Sequence, residues 1–434
     1  MIDESRAVGD LAAAAREALA NEQTARIHDG RRLLDGREAM EAFCLSVLQG
    51  ELDKIDRDRL GRGMERLNAD EEDNLIQLAL DLVVGLGPIE RLLADESVEE
   101  IVATRWNLVF VYRSDGSCEQ ISDALWSSNA DLEGWVRHLA ATVGRTERRF
   151  DGAAPLLVMR LGPGLRLAAT REVSENVSFA LRRNTLGKVT LPDLVDRKMM
   201  PPAIGELLAA CMRSTEMRMV FAGATGSGKT TLARAVLSEL DRLARLVIIE
   251  DTGELDMFDA EDRPNVEEWE AREENIEREG EISAGQLVKH ALRYRPDWLT
   301  VGEVRDSDAA VPMIKAMTHG QSSLTTVHAA SATGALDKLA LYLSTGEDRL
   351  PIEAAHFQLW QAVDFVVYLD RQRDGRRVVR EVAEISSYDN GRCLTNTIYD
   401  VSEGTHQRLT EQHRERLARA GFNESVLESW WAVS

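Results

Sequence analysis

Residues 223–231 read GATGSGKTT and match the pattern G-x-x-x-x-G-K-[ST] of a loop that cradles phosphate groups. Residues 217–222 before it (MRMVFA) are typical of an apolar strand, and residues 232–240 after it (LARAVLSEL) have the spacing of an amphipathic helix. A phosphate loop of this kind joins a strand to a helix, so both neighbours are of the required type. The sequence therefore predicts a strand, loop and helix that bind a nucleoside triphosphate.

Each part of this loop has a predicted role. Lys229 is expected to reach the β- and γ-phosphate oxygens, and the Thr230 hydroxyl is expected to bind Mg²⁺. Backbone N–H groups and the helix N-terminus supply the remaining positive potential. The residues assigned to nucleotide binding are Gly223, Ala224, Thr225, Gly226, Ser227, Gly228, Lys229, Thr230 and Thr231. ATP and Mg²⁺ are the expected ligands.

Three later apolar strands end in side chains suited to phosphoryl transfer. Glu303 ends the run 299–303, and we predict that it positions or activates the attacking water. Glu250 and Asp251 end another run and are predicted to lie near Mg²⁺, with Glu250 a second catalytic candidate. His328 ends a third run and is a candidate sensor of the γ-phosphate. Carboxyl ends of parallel strands meet at one edge of a sheet, so we expect these groups to converge.

The chain of 434 residues is long enough for two or three domains and carries a formal charge of −22. This charge repels phosphate backbones, so direct nucleic-acid binding is not expected. No apolar run has the length of a membrane span, and the acidic start lacks the basic region of a signal peptide. We expect a cytoplasmic protein that reaches the inner face of the cell membrane through a partner. The four cysteines form no C-x-x-C pair and indicate neither a zinc site nor a disulfide framework.

Changes in pattern divide the chain into five predicted segments. Strands that alternate with helices after the phosphate loop favour a mostly parallel sheet covered on both faces, and hence an α/β fold. The predicted segments are a helical appendage (1–84), an α/β domain (85–186), a linker rich in proline (187–202), the nucleotide domain (203–400) and a helical tail (401–434).

Four motifs of this chain, and their order along it, resemble those of the type II/type IV secretion ATPase superfamily. Residues 223–231, 249–255, 301–305 and 325–329 are similar to its Walker A, Asp box, Walker B and His box. The upstream stretch 85–101 is similar to the entry to the N-terminal domain in the tight-adherence pilus branch. The tetracysteine insertion of the type II branch is absent from the sequence.

The resemblance implies a RecA-like ATPase domain preceded by a smaller α/β N-terminal domain. It further implies a homo-hexamer that hydrolyses ATP and works on an integral membrane platform protein. Arginines of the N-terminal domain reach the nucleotide in this family, and Arg166 and Arg182 match their positions. We therefore expect Arg166 and Arg182 to take part in catalysis.

The sequence is compatible with several functions for this nucleotide site. The leading interpretation is an ATPase that powers assembly of a tight-adherence or type IV-like pilus. The alternative is the traffic ATPase of a conjugative or effector type IV secretion system, because both machines use the same hydrolytic motifs. A nucleic-acid motor is less consistent with the charge of −22. A nucleotide-binding switch without sustained turnover would retain ADP, but the presence of Lys229 and Glu303 argues for an enzyme.

Overall fold

The chain divides into two compact units, residues 1–185 and residues 186–434. The computed structural model describes residues 4–29, 31, 34, 37–122, 124–142, 149–162, 164–183, 189–272, 280–346, 348–401 and 407–431. None of the helices in those ranges is both long and apolar enough to cross a lipid bilayer.

Three helices open the first unit: α1 (Glu4–His28), α2 (Arg37–Gly61) and α3 (Ala69–Val83). They bury one apolar stripe each, with Leu11 and Leu48 almost inaccessible to solvent. Asn68 caps α3 in a capping box with Glu71, which fixes where this helix begins. The sequence-predicted helical appendage thus has its own small core.

The rest of the first unit is a six-stranded antiparallel sheet covered on one face by a helix. The sheet has the order β3-β2-β1-β6-β5-β4. The elements are α4 (Glu90–Leu93), β1 (Val98–Arg105), β2 (Leu108–Arg113), β3 (Cys118–Ile121), α5 (Asn129–Thr142), β4 (Leu156–Gly162), β5 (Leu165–Thr170) and β6 (Ser178–Arg183). Alternate residues of the strands pack with Trp135 and Leu139 of α5, so one face of the sheet is buried.

The second unit is built on an eight-stranded sheet of order β14-β13-β12-β7-β11-β10-β8-β9. Its six strands from β12 to β9 are parallel, and β13 and β14 add an antiparallel pair. The strands are β7 (Arg218–Gly223), β8 (Leu246–Glu250), β9 (Val266–Glu270), β10 (Trp298–Val301), β11 (Ser323–Val327), β12 (Phe365–Arg371), β13 (Arg377–Asp389) and β14 (Arg392–Asp400).

Helices cover both faces of this sheet. They are α6 (Leu191–Asp196), α7 (Pro202–Arg213), α8 (Lys229–Leu237), α9 (Ala284–Ala291), α10 (Ser307–Thr318), α11 (Ala332–Thr345), α12 (Ile352–Ala362), α13 (Glu411–Arg419) and α14 (Ser425–Trp431). Successive residues of β7 alternate between the two cores, with Phe221 on the side of α7 and α8 and Val220 on the side of α10 and α11. The predicted α/β fold, a larger α/β domain preceded by a smaller α/β domain and a helical appendage, is confirmed.

The segment 187–202, predicted as a linker, contains regular structure. Residues 187 and 188 lie outside the described residues, but α6 follows at Leu191 and begins with a capping box between Thr190 and Asp193. Pro192 and Pro202 stand in the first turns of α6 and α7, where a missing N–H costs nothing. The prolines therefore mark helix starts rather than an extended connection.

Candidate functional site

The predicted phosphate loop joins β7 directly to α8. Gly223 ends the strand, and a Cβ atom there would lie 2.5 Å from both the Leu369 carbonyl oxygen and the Ser227 hydroxyl. Gly228 precedes α8 with φ of 97°, a conformation that side chains other than glycine rarely adopt. The buried Ser227 hydroxyl has no hydrogen-bond partner within the described part of the chain. The loop is therefore a tight glycine cradle with a polar atom left to satisfy, which fits a bound phosphate.

Lys229 lies inside this cradle with only 8% of its surface exposed. Its Nζ atom donates to the carbonyl oxygens of Gly223 at 2.9 Å and Ala224 at 3.0 Å. Burial lowers the pKa of Lys229, while the nearby carboxylates of Glu303 and Glu254 act in the opposite direction. The ammonium group is thus held against the backbone of the predicted phosphate loop.

Glu303 and His328 meet at the carboxyl edge of the parallel strands. His328 Nε2 lies 2.8 Å from Glu303 Oε1, and His328 Nδ1 lies 3.4 Å from Lys229 Nζ. On its other side, Glu303 Oε2 accepts a hydrogen bond of 3.1 Å from Arg305, which also pairs with Asp251 at 2.9 Å. Lys229, His328 and Glu303 thus form one contiguous polar chain.

Hydrogen bonds from two threonine side chains fix the register of β10 and β11 beside these three polar residues. The Thr325 hydroxyl donates to the Val301 carbonyl oxygen at 2.9 Å, and the Thr326 hydroxyl donates to that of Gly302 at 2.7 Å. These bonds join the ends of β10 and β11. They fix Glu303 and His328 on adjacent rigid elements, as precise positioning of reacting groups requires.

Glu250 differs from the other strand-end carboxylates. It is 8% exposed, and the backbone N–H groups of Glu254 (3.1 Å) and Leu255 (3.3 Å) donate to it. Burial raises the pKa of Glu250 to about 8, in spite of these donors. Its contacts hold the loop 251–255, and its predicted place beside the magnesium ion stays a prediction.

The carboxylate that faces the Thr230 hydroxyl is that of Glu254. Its Oε2 atom lies 3.4 Å from Thr230 Oγ1. Within the described ranges, no group of three or more His, Cys, Asp or Glu side chains can hold a metal ion by itself. Mg²⁺ in nucleotide sites uses one or two protein oxygens together with phosphates and water, so Thr230 and Glu254 fit this ion. Asp251, the other predicted ligand, is paired with Arg305. Glu254 was not predicted as a site residue from the sequence, although it lies in the motif 249–255.

The two predicted arginines lie in the first unit. Arg166 on β5 and Arg182 on β6 are direct register partners. Arg160 on β4 is the register partner of Arg166 on the other side, so three arginines form a row on one face of the sheet. Sequence reasoning missed Arg160. The sequence signal that could have found Arg160 is its spacing. Arg160 and Arg166 are equally distant along the chain from residue 163, in the connection between β4 and β5, and so face each other in the hairpin.

Residues 83–426 match the family model described as "Type II/IV secretion system protein". The chain is 33% identical over 262 residues to the conjugal transfer protein TrbB of Rhizobium radiobacter, covering 59% of this chain and 71% of TrbB. It is 30% identical over 357 residues to a putative conjugal transfer protein of Mycobacterium tuberculosis, covering 80% of this chain and 97% of that protein. It is 26% identical over 378 residues to the type IV secretion system protein VirB11 of Brucella suis, covering 80% and 97%.

Solved structures of similar fold include two ATPases or motors. The ATPase DotB of Legionella pneumophila superposes with a TM-score of 0.51 at 18% identity, covering 69% of this chain and 80% of DotB. The pilus retraction motor PilT with bound ADP gives a TM-score of 0.50 at 17% identity, covering 77% and 86%. These likenesses concern the fold alone. Because the family model spans residues 83–426, which hold both sheets and the phosphate loop, the chain belongs to the type II/IV secretion system protein family, a family of secretion ATPases.

Proposed function

We propose that this chain is the ATPase of a type IV secretion machine of the conjugative kind, and that it hydrolyses ATP to ADP and phosphate. The observation that supports hydrolysis is that Lys229, His328 and Glu303 lie in contact with one another beside the glycine cradle. The observation that favours conjugative transfer over pilus assembly is the similarity to two conjugal transfer proteins at 30–33% identity. The tight-adherence interpretation remains the second candidate.

The catalytic groups divide the work of phosphoryl transfer. Lys229 binds the β- and γ-phosphates, and Thr230 and Glu254 would hold a magnesium ion, which would neutralise charge on those phosphates. Glu303 orients the attacking water and accepts its proton. His328 touches both Glu303 and the Lys229 ammonium, so it is placed to relate the carboxylate to the occupancy of the γ-phosphate position. Glu250 acts by holding the loop that presents Glu254.

We further propose a homo-hexamer that works at the inner face of the cell membrane through an integral membrane platform protein. The resemblance supports the hexamer, and the charge of −22 favours a partner with basic cytoplasmic loops. Weaker recruitment to the platform at raised salt would support this electrostatic contact.

Arg166→Ala is expected to retain ATP binding but to lower turnover by roughly 10³-fold, because an arginine that stabilises transition-state charge acts mainly on kcat. Steady-state phosphate release and equilibrium binding of a fluorescent ATP analogue separate the two effects. Arg105→Ala, an exposed arginine on the same sheet, is the matched control. Unchanged turnover in Arg166→Ala would remove this residue from the mechanism.

The type of machine is tested by affinity purification of a Glu303→Gln variant from native cells, followed by mass spectrometry. This variant is expected to hold ATP without cleaving it and so to prolong contact with its partners. Recovery of a coupling protein, a relaxase or DNA supports conjugative secretion. Recovery of a polytopic platform protein together with pilins moves the assignment to pilus assembly.

A further inference from the structure

The C-terminal helices α13 and α14 are packed on the core of the second unit. Leu417 and Leu427 are fully buried and belong to the same apolar cluster as residues of α7 and β12. At the start of α13, however, the contact with the sheet is ionic. The helix therefore combines an apolar footing with a buried polar attachment.

His413 is the centre of this attachment and is 4% exposed. Its Nε2 atom lies 2.9 Å from Asp364 Oδ1, and its Nδ1 atom lies 2.5 Å from Glu384 Oε1. Asp364 and Glu384 are themselves only 2% and 0% exposed. A neutral imidazole has one N–H, so it can donate to one of these carboxylates and must turn a lone pair toward the other. The doubly protonated ring can donate to both carboxylates at once.

Every other element around His413 adds a polar or charged group. Arg218 at the start of β7 donates to Asp364 from Nε at 2.8 Å and from Nη2 at 2.7 Å. Arg416 of α13 lies 3.3 Å from the same carboxylate. Thr410 and Asn396 donate to Glu384, and the Thr410 hydroxyl also lies 3.2 Å from His413 Nδ1. The Cys211 thiol of α7 lies near Asp364, and the apolar Phe365 ring lies 5.1 Å from the imidazole.

We propose that His413, Asp364 and Glu384 form a proton-dependent latch, which holds the C-terminal segment 409–431 on the ATPase sheet while the imidazole is protonated. Loss of the proton turns a ring lone pair toward a buried carboxylate and removes one of the charge-assisted contacts that join α13 to the sheet, while Arg218 still donates to Asp364 and Thr410 to Glu384. The segment then detaches more readily. The latch is independent of the proposed hydrolytic site, since none of its three residues belongs to that site.

The direction of the pH effect follows from the surroundings of the ring. Burial alone would lower the pKa of His413, but the hydrogen bonds and charges of Asp364 and Glu384 outweigh it and raise that pKa. A group whose pKa is raised in the docked state stabilises docking fully below its ordinary pKa of about 6.5, and this contribution is lost as the pH rises through the docked value. The latch is thus closed in mild acid and opens on the alkaline side.

The latch also reaches the strand that carries the phosphate loop. The Arg218 backbone N–H donates to Asp364 at 2.8 Å, and β7 runs from Arg218 to Gly223. Asp364 immediately precedes β12, which pairs with β7 along its length. The C-terminal segment is therefore anchored at the amino ends of the two strands that flank the cradle.

Hydrogen exchange followed by mass spectrometry on the full-length protein tests this proposal. The observable is the exchange rate of amides in α13 and α14 divided by that of amides in α11, which packs in the other core of this unit. The ratio corrects for the intrinsic pH dependence of exchange. We expect this ratio to be constant below about pH 6.5 and to rise by up to about tenfold per pH unit above it, until the docked pKa is passed. A ratio that stays constant up to about pH 9 would overturn the proposal.

Two variants sharpen this test. His413→Gln is expected to give a high exchange ratio that no longer varies with pH, because the side chain carries no titrating charge. His319→Gln, which changes an exposed histidine at the end of α10, is the control and is expected to keep the wild-type profile. A His413→Gln protein with the wild-type pH dependence would show that another group controls docking. If that variant does not fold, the wild-type titration alone decides.

Discussion

Glu303→Gln is expected to lower kcat for ATP hydrolysis by a factor of about 10²–10⁴ while ATP still binds. The amide keeps the shape of the side chain and one oxygen acceptor. The contacts with His328 and Arg305 therefore become weaker, because the charge is lost, but they still fit sterically. It cannot, however, accept a proton from the attacking water. The measurement is steady-state phosphate release, together with the Kd for ATP.

A carboxylate far from the cradle provides the control for this experiment. Glu267 lies on the edge strand β9 and pairs with Arg245, so Glu267→Gln removes a similar charge without touching the site. Turnover close to the wild-type value is expected for this control. If Glu303→Gln also turned over normally, Glu303 would not be the group that activates water.

Lys229→Ala is expected to raise the Kd for ATP by about 10²-fold or more and to abolish turnover. Two charge-assisted hydrogen bonds to phosphate, worth about 1.5–3 kcal/mol each, are lost, and every 1.4 kcal/mol corresponds to about a tenfold change. The substitution also removes the donor to the carbonyl groups of Gly223 and Ala224. Equilibrium binding of ATP checks the result, and thermal unfolding shows whether the fold survives.

Lys315→Ala is the matched control for this second prediction. Lys315 lies on α10 and pairs with Asp348 on the surface at 2.6 Å, away from the cradle. We expect it to bind ATP as the wild type does. ATP affinity that is unchanged in Lys229→Ala would contradict the assignment of the cradle as the phosphate site.

Much of the second unit could be predicted from sequence because its strands are short, continuous apolar runs. The strands β10 (Trp298–Val301) and β11 (Ser323–Val327) lie where the sequence has two of these runs. Such runs are typical of parallel strands buried on both faces, and glycine fixes the loop between β7 and α8. The pattern is local, so no tertiary information was needed.

The surroundings of the acidic residues could not be predicted in the same way. Glu250 and Glu303 both end apolar strands and look alike in sequence, yet Glu250 is buried by its own loop and receives backbone N–H groups. Glu254 gains its relevance only from the loop that returns it to Thr230. The relation depends on how the chain turns after the strand, which strand periodicity does not encode.

The ionic attachment of the C-terminal helix is the clearest case of information absent from local sequence. Asp364, Glu384 and His413 are spread over 50 positions of the chain, and each alone is typical of a solvated polar residue. Only the pairing of β12 with β13 and the docking of α13 bring them together. The prediction of a linker at 187–202 differs from the structure for a related reason. A proline in the first turn of a helix and a proline in a linker cannot be told apart from the local sequence.

Steady-state hydrolysis by the purified wild-type protein tests the proposed ATPase activity most directly. We predict saturable, magnesium-dependent release of phosphate from ATP that is lost in Lys229→Ala. Tight retention of ADP with no release beyond a single turnover would contradict it, and would identify a nucleotide-dependent switch instead of an ATPase.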